Sequence, residues 1–117
     1  MNKEIEKLLF NPIRLKTISF LMTVETCNFK VLLEITDSTK GNLSIQLKKL
    51  NEAGLIKIEK YFQKSYPTTD YSITKKGKSS FEEFYKQLIS YKKKSKHYFV
   101  NVFNKFACIK NLKLNID

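Results

Sequence analysis

Residues 39–54 read TKGNLSIQLKKLNEAG, and their spacing decides the fold. Leu43, Leu47 and Leu50 recur at the intervals that line one face of an α-helix. Thr39 stands where a hydroxyl caps the free amides of a first turn, and Gly54 where a left-handed residue ends the helix. A helix over 39–53 is expected, anchored by its leucines. Its other side carries Gly41, Ser44, Ile45 and Lys48, flanked by Asn42 and Lys49. Ile45 is apolar yet off the leucine stripe, so it is either half-buried against the preceding helix or free to touch a partner.

Upstream, Asn28 can cap a helix over 29–36 with Leu32, Leu33 and Ile35 facing inward, and Thr36-Asp37-Ser38 breaks it. Two short helices around a tight polar turn are the elements of a helix-turn-helix. Further back, Asn11-Pro12 marks another helix start that runs to about Met22, buries Ile13, Ile18 and Leu21, and places Phe10 and Leu15 as a hydrophobic staple. Ile5, Leu8 and Leu9 give an apolar edge suited to an extra N-terminal helix. Residues 23–27 are β-branched without helical period, which suggests a short strand or extended link.

Downstream the period changes. Residues 55–62 (LIKIEKYF) and 69–73 (TDYSI) read as strands, with 63–68, containing Pro67, as the loop between them. Thr74 then caps a long helix with the apolar stripe Phe81, Phe84, Tyr85, Leu88 and Tyr91. With neither Gly nor Pro after Gly77, helix can continue or restart through Phe99, Val102, Phe103, Phe106 and Ile109. The expected fold is mainly α with a small β-hairpin wing (α+β): a winged helix-turn-helix with extra N- and C-terminal helices. One domain over 1–117 is expected, with its core at 11–80 and a C-terminal helical region at 81–117.

A chain of 117 residues that is 42% hydrophobic is long enough for one core. Lys and Arg number 22 against 11 Asp and Glu, a net of +11 that favours a polyanionic partner. Between Lys40 and Lys78 nine lysines face three acids, a net of +6, and from Phe84 to Ile116 eight lysines face none. No stretch has the run of apolar residues that a membrane span needs, nor does the start look like a secretory signal, so a cytosolic protein with no membrane partner is expected. Cys27 and Cys108 form neither a disulfide framework nor a zinc pattern, and read as packing thiols. His97 is the only histidine, Glu82 and Glu83 are adjacent and do not face each other, and the three isolated glycines make no phosphate-cradling loop. Neither catalysis nor a cofactor is expected.

Asn11-Pro12-Ile13-Arg14-Leu15, Thr39-Lys40-Gly41-Asn42-Leu43-Ser44, Leu47-Lys48-Lys49-Leu50-Asn51-Glu52-Ala53-Gly54-Leu55-Ile56 and Tyr71-Ser72-Ile73-Thr74-Lys75-Lys76-Gly77 together resemble the winged-helix transcriptional regulators related to the MarR and ArsR families, most closely their short single-domain group. The resemblance covers about Asn11 to Tyr91. It implies a homodimer on double-stranded DNA, each helix 39–53 in a major groove and each wing, 60–70, along the backbone or minor groove. The chain also departs from the pattern. Thr36-Asp37-Ser38 stands where relatives have an apolar-Gly-apolar turn, and Ile45 where Arg or Lys is frequent. The wing offers Lys64, Tyr66 and Thr68 in place of arginines, and the ArsR cysteine pair is absent, so metal sensing is not implied.

On that reading Lys40, Asn42, Ser44 and Ile45 are the base-contacting candidates, since the N-terminal part of a recognition helix reaches the base edges. Ser38, Thr39, Lys48, Lys49, Lys60 and Lys64 are placed for phosphates. Ile5, Leu8, Phe84, Leu88, Phe99, Phe103 and Phe106 exceed what one wing domain can cover, and would pack N- and C-terminal helices across a dimer axis; the alternative is a tail folded back on its own core. An aromatic-lined space between wing domain and tail is a place for a small-molecule effector that nothing in the spacing specifies. The competing function is a protein-interaction module on the same scaffold, without specific DNA binding. RNA binding has no stacking-aromatic motif in its favour.

Overall fold

A computed structural model describes residues 2–94, with side chains through Tyr91, in the order α1 (Lys3–Leu9), α2 (Pro12–Leu21), α3 (Phe29–Thr36), α4 (Lys40–Glu52), β1 (Ile56–Gln63), β2 (Tyr66–Ile73) and α5 (Lys75–Lys94). Side-chain caps set the helix starts. Asn2, Asn11, Asn28 and Thr39 accept from amides of the first turns of α1, α2, α3 and α4, and Thr74 accepts from the Gly77 amide at 3.0 Å. Each bond satisfies a donor that the helix itself leaves orphaned. The helices expected up to Tyr91, the extra N-terminal one included, are present, and helix expected through Phe99 to Ile109 lies outside the described residues. The winged helix-turn-helix order follows from them.

The chain divides into two units between Phe84 and Tyr85. In the first, Leu9 of α1, Ile18 and Leu21 of α2, Leu32 of α3, Leu43 and Leu50 of α4, and Leu55 are fully buried. At about 1.5–3 kcal/mol per buried aliphatic side chain, this cluster is the main favourable term holding the three central helices together. Leu33 and Ile35, expected inside, are only half-buried, and Thr36 takes the inward place with its hydroxyl donating to the Leu32 carbonyl at 2.7 Å. Over 23–27 the chain bends at Thr23 and Glu25, and the short strand or extended link expected there comes down to a single bridge at Cys27. Cys27 and Tyr71 pair backbone to backbone at 3.0 and 2.9 Å, adding one antiparallel bridge beside the hairpin.

The helix-turn-helix turn is made without glycine. Asp37 adopts the left-handed conformation, φ 49°, at the end of α3. Asp tolerates that region better than most side chains. Thr36 and Ser38 meet across it, Oγ1 to Oγ at 2.8 Å.

The hairpin is tighter than its sequence indicates. The two strands pair from Ile56↔Ile73 to Gln63↔Tyr66, so 63–68 is not a loop and β2 begins at Tyr66 rather than Thr69. Lys64 and Ser65, both at positive φ (50° and 70°), make a two-residue turn. Pro67 sits within the strand opposite Phe62. Next to a two-residue turn the first pair, Gln63 with Tyr66, is the hydrogen-bonded one, and the next is not. The Pro67 nitrogen therefore faces outward, where a missing donor costs nothing.

The base of the hairpin is fastened to the end of α4. Gly54 takes φ 77° to stop the helix, the Thr74 hydroxyl donates to the Gly54 carbonyl at 2.6 Å, and the Thr74 amide donates to the Leu55 carbonyl at 3.1 Å. Gly77 in the first turn of α5 lies so close that a Cβ there would stand 2.2 Å from the Leu55 carbonyl oxygen. Among the described residues no helix is long and apolar enough to cross a membrane. Phe99, Phe103, Phe106, Cys108 and His97, and with them the space suggested for an effector, lie outside the described residues.

Candidate nucleic-acid interface

The leucine stripe turns α4 so that its polar side is free. Leu43, Leu47 and Leu50 are buried, while Lys40, Gly41, Asn42, Ser44, Ile45, Lys48 and Lys49 are all exposed. Ile45 is 55% exposed, which decides between its two readings: it points to solvent and does not pack against α3. Lys48 lies 4.0 Å from Glu52 in an exposed helical pair, an interaction too weak to occupy the lysine. Thr39 spends its side-chain oxygen on the Asn42 amide at 3.1 Å, and Ser38 is half-buried beside Thr36. Lys60 and Lys64 are exposed on the wing. The ten candidate contact residues thus lie on α4, on the turn before it and on the hairpin after it, in the first unit.

Two residues that the sequence reading left aside hold this surface in place. Gln46 is 9% exposed, and its Oε1 accepts from a guanidinium nitrogen of Arg14 while its Nε2 donates to Asn42 Oδ1 at 3.0 Å. Arg14 also donates from Nε to the Leu8 carbonyl at 2.6 Å, taking up an acceptor near the end of α1. Burial pushes the Arg14 pKa below its ordinary value. One arginine therefore ties α1 and α2 to α4, and through Gln46 it orients the exposed Asn42. The signal was present: position 46 falls three residues after Leu43 on the same helical face, and Arg14 is the only arginine of the chain.

At the tip of the hairpin Tyr66, named with the wing in the sequence, is joined by Phe62 and Tyr61, which the sequence reading did not single out. Phe62 is 76% and Tyr66 75% exposed, and Tyr61 donates from its hydroxyl to Asp70 Oδ2 at 2.9 Å. That bond to Asp70, with some desolvation, pushes the Tyr61 pKa up.

Of the residues expected at a dimer interface, Ile5, Leu8 and Leu88 are half-buried. Phe84 is 3% exposed and meets Phe10 edge to face, ring centres 5.1 Å apart, which leaves Phe10 itself 59% exposed. Among the described residues no cluster of His, Cys, Asp or Glu is arranged to hold a metal ion.

Comparison with known proteins agrees with this geometry. The family described as "Winged helix DNA-binding domain" matches residues 13–91. An uncharacterized protein of Methanocaldococcus jannaschii is 32% identical over 87 residues, 74% of this chain and 95% of that protein. Among solved structures, a transcriptional regulator homologue from Pyrococcus horikoshii OT3 superposes with a TM-score of 0.66 at 29% identity, covering 96% of each chain. A MarR-family transcriptional regulator from Silicibacter pomeroyi, at 16% identity, shares the fold with a TM-score of 0.61 over 97% of this chain and 80% of its own.

Proposed function

We propose that this chain, which belongs to the winged helix DNA-binding domain family, is a cytosolic, homodimeric regulator of transcription that reads double-stranded DNA with α4 and steadies itself on the backbone with its wing. Family and fold are those of DNA-binding regulators, which are not enzymes. The observation that carries the finer reading is the free side of α4, an exposed row of Lys40, Asn42, Ser44, Ile45, Lys48 and Lys49 over a leucine anchor.

An α-helix fits the major groove, and side chains of its first turns meet base edges. Lys40, Asn42, Ser44 and Ile45 occupy those turns, with Ile45 suited to a thymine methyl. Lys48, Lys49, Lys60 and Lys64 neutralise phosphates, with Ser38 and Thr39 contacting them at the N-terminal end of the helix. A single helix-turn-helix reads few base pairs, so two-fold pairing is the usual way to specificity. The half-buried Ile5, Leu8 and Leu88, with Phe84 seating the exposed Phe10, support a dimer face. Region 81–117, including Phe99, Phe103 and Phe106, completes it in this reading.

The test is fluorescence anisotropy with a random-sequence duplex. The wild-type chain binds at low salt and loses roughly 10³- to 10⁵-fold in affinity between about 50 and 200 mM salt if six to ten phosphates are neutralised per dimer. Lys48→Glu with Lys49→Glu abolishes binding while leaving the melting temperature in place. Absence of wild-type binding even at low salt would assign the scaffold to protein interaction instead. Sedimentation as a monomer at micromolar concentration would remove the dimer.

A further inference from the structure

The hairpin sorts its side chains by charge. Successive residues of a strand point to opposite faces, so Ile56, Ile58, Lys60 and Phe62 share one face with Pro67, Thr69, Tyr71 and Ile73. Lys57, Glu59, Tyr61 and Gln63 share the other with Tyr66, Thr68, Asp70 and Ser72. Both carboxylates of the hairpin lie on that second face, where Glu59 pairs with Lys57 at 3.4 Å and Asp70 with the Tyr61 hydroxyl. The first face has none. At its base Ile56 and Tyr71 are buried in the core, and beyond them it continues as Lys60, Phe62 and Pro67 into solvent. At 3.3 Å per residue, Phe62 stands about 13 Å further out than Ile58.

A ring that is 76% exposed, beside Pro67 and between Lys60 and Lys64 on a face without acids, suits a polyanion that also offers an apolar slot. Duplex DNA offers that combination in its minor groove, where apolar side chains enter between base steps and unstack them. The usual alternative, an arginine drawn into a narrow minor groove, is not open to this wing. The one arginine of the chain is Arg14, which is committed to Leu8 and Gln46.

Resting on the DNA-binding reading above, we propose that Phe62, supported by Pro67 and flanked by Lys60 and Lys64, is an apolar wedge that enters the minor groove and bends the duplex. The two positive-φ residues of the turn keep the hairpin narrow, and Phe62 is the exposed ring of its acid-free face while Tyr66 stands on the other. The wing then contributes deformation rather than base-edge contacts, and favours sites with easily unstacked pyrimidine-purine steps.

The experiment uses the full chain and duplexes captured by the wild-type protein from a random-sequence pool, labelled at both ends for energy transfer. Wild-type binding brings the ends closer. Phe62→Ser binds about tenfold or more weakly, as loss of one aromatic stacking contact does, and leaves the duplex straight; Phe62→Leu, still a wedge, keeps both properties. A duplex that stays straight with the wild type, or bends equally with Phe62→Ser, overturns the wedge while the DNA-binding reading stands. Failure of the wild type to capture any duplex removes both. A Phe62→Ser variant that bends DNA normally but sediments differently assigns the ring to a protein contact and overturns the proposal.

Discussion

Arg14 on α2 donates a hydrogen bond to Gln46 on α4, and the same guanidinium caps the end of α1 at the Leu8 carbonyl. The candidate reading surface is thus fixed from behind by a polar tie as well as by leucines. Arg14→Met keeps the apolar stem but leaves the buried Gln46 Oε1 without a donor, while Nε2 keeps Asn42, which costs about 1–3 kcal/mol. Chemical denaturation should show a lower midpoint. Gln46→Leu in the Arg14→Met background should recover the part of the loss that comes from Gln46 Oε1, while the Leu8 carbonyl stays without its donor.

Gly77 is required by distance. A Cβ at 77 would meet the Leu55 carbonyl oxygen at 2.2 Å and the Ile73 side chain at 2.7 Å. Gly77→Ala therefore pushes α5 away from the base of the wing, at a cost of about 1–3 kcal/mol. Thermal melting reads this directly, and an unchanged melting temperature would refute the close approach.

Gly41 is the opposite case. Nothing lies within 4 Å of the place a Cβ would take, and the residue sits in the first turn of α4 with no demand from its own chain. Gly41→Ala should stabilise the fold by about 0.5–1 kcal/mol. If the start of α4 lies against DNA, the same methyl intrudes there, so the variant should melt higher and bind DNA less tightly. A rise in both would place position 41 away from the duplex.

Cys27 is a protonated packing thiol. Desolvation, and then the charge of Asp70, raise its pKa from 9.0 to about 11. In a Cys108→Ser variant, disulfide reagents should react with Cys27 roughly tenfold more slowly than with a free thiol, after the greater nucleophilicity of a more basic thiolate is counted. Because the folded-state pKa is the higher one, the linked stability is full below 9.0 and declines as pH rises toward about 11. Denaturation midpoints across that interval should fall less for Cys27→Ala in the same background.

The elements were legible because each carries a local signal. Asn11, Asn28, Thr39 and Thr74 announce helix starts, Gly54 a stop, and the leucine interval of α4 its orientation. What escaped the sequence was set by the backbone or by a partner distant in sequence. Lys64-Ser65 takes the left-handed pair that Asn-Gly usually marks, so 63–68 reads as the loop of the hairpin, whereas Pro67 enters β2 on its outward side. The Thr36-Asp37-Ser38 turn follows the same logic, since Asp37 adopts the conformation expected of glycine. Gln46 carries a polar name on a buried stripe, and only the position of Arg14, 32 residues earlier, explains it. Ile45 is ambiguous for the converse reason: an apolar side chain does not declare whether it faces core or solvent, and its 55% exposure decides it.

The most direct test of the account is lysine acylation of the full chain with and without duplex DNA, read by peptide mass. Protection of Lys40, Lys48, Lys49, Lys60 and Lys64 on adding DNA, with Lys3 and Lys7 of α1 equally reactive in both samples, is the predicted result. DNA-dependent protection confined to Lys3 and Lys7, with the α4 lysines still fully reactive, would contradict it.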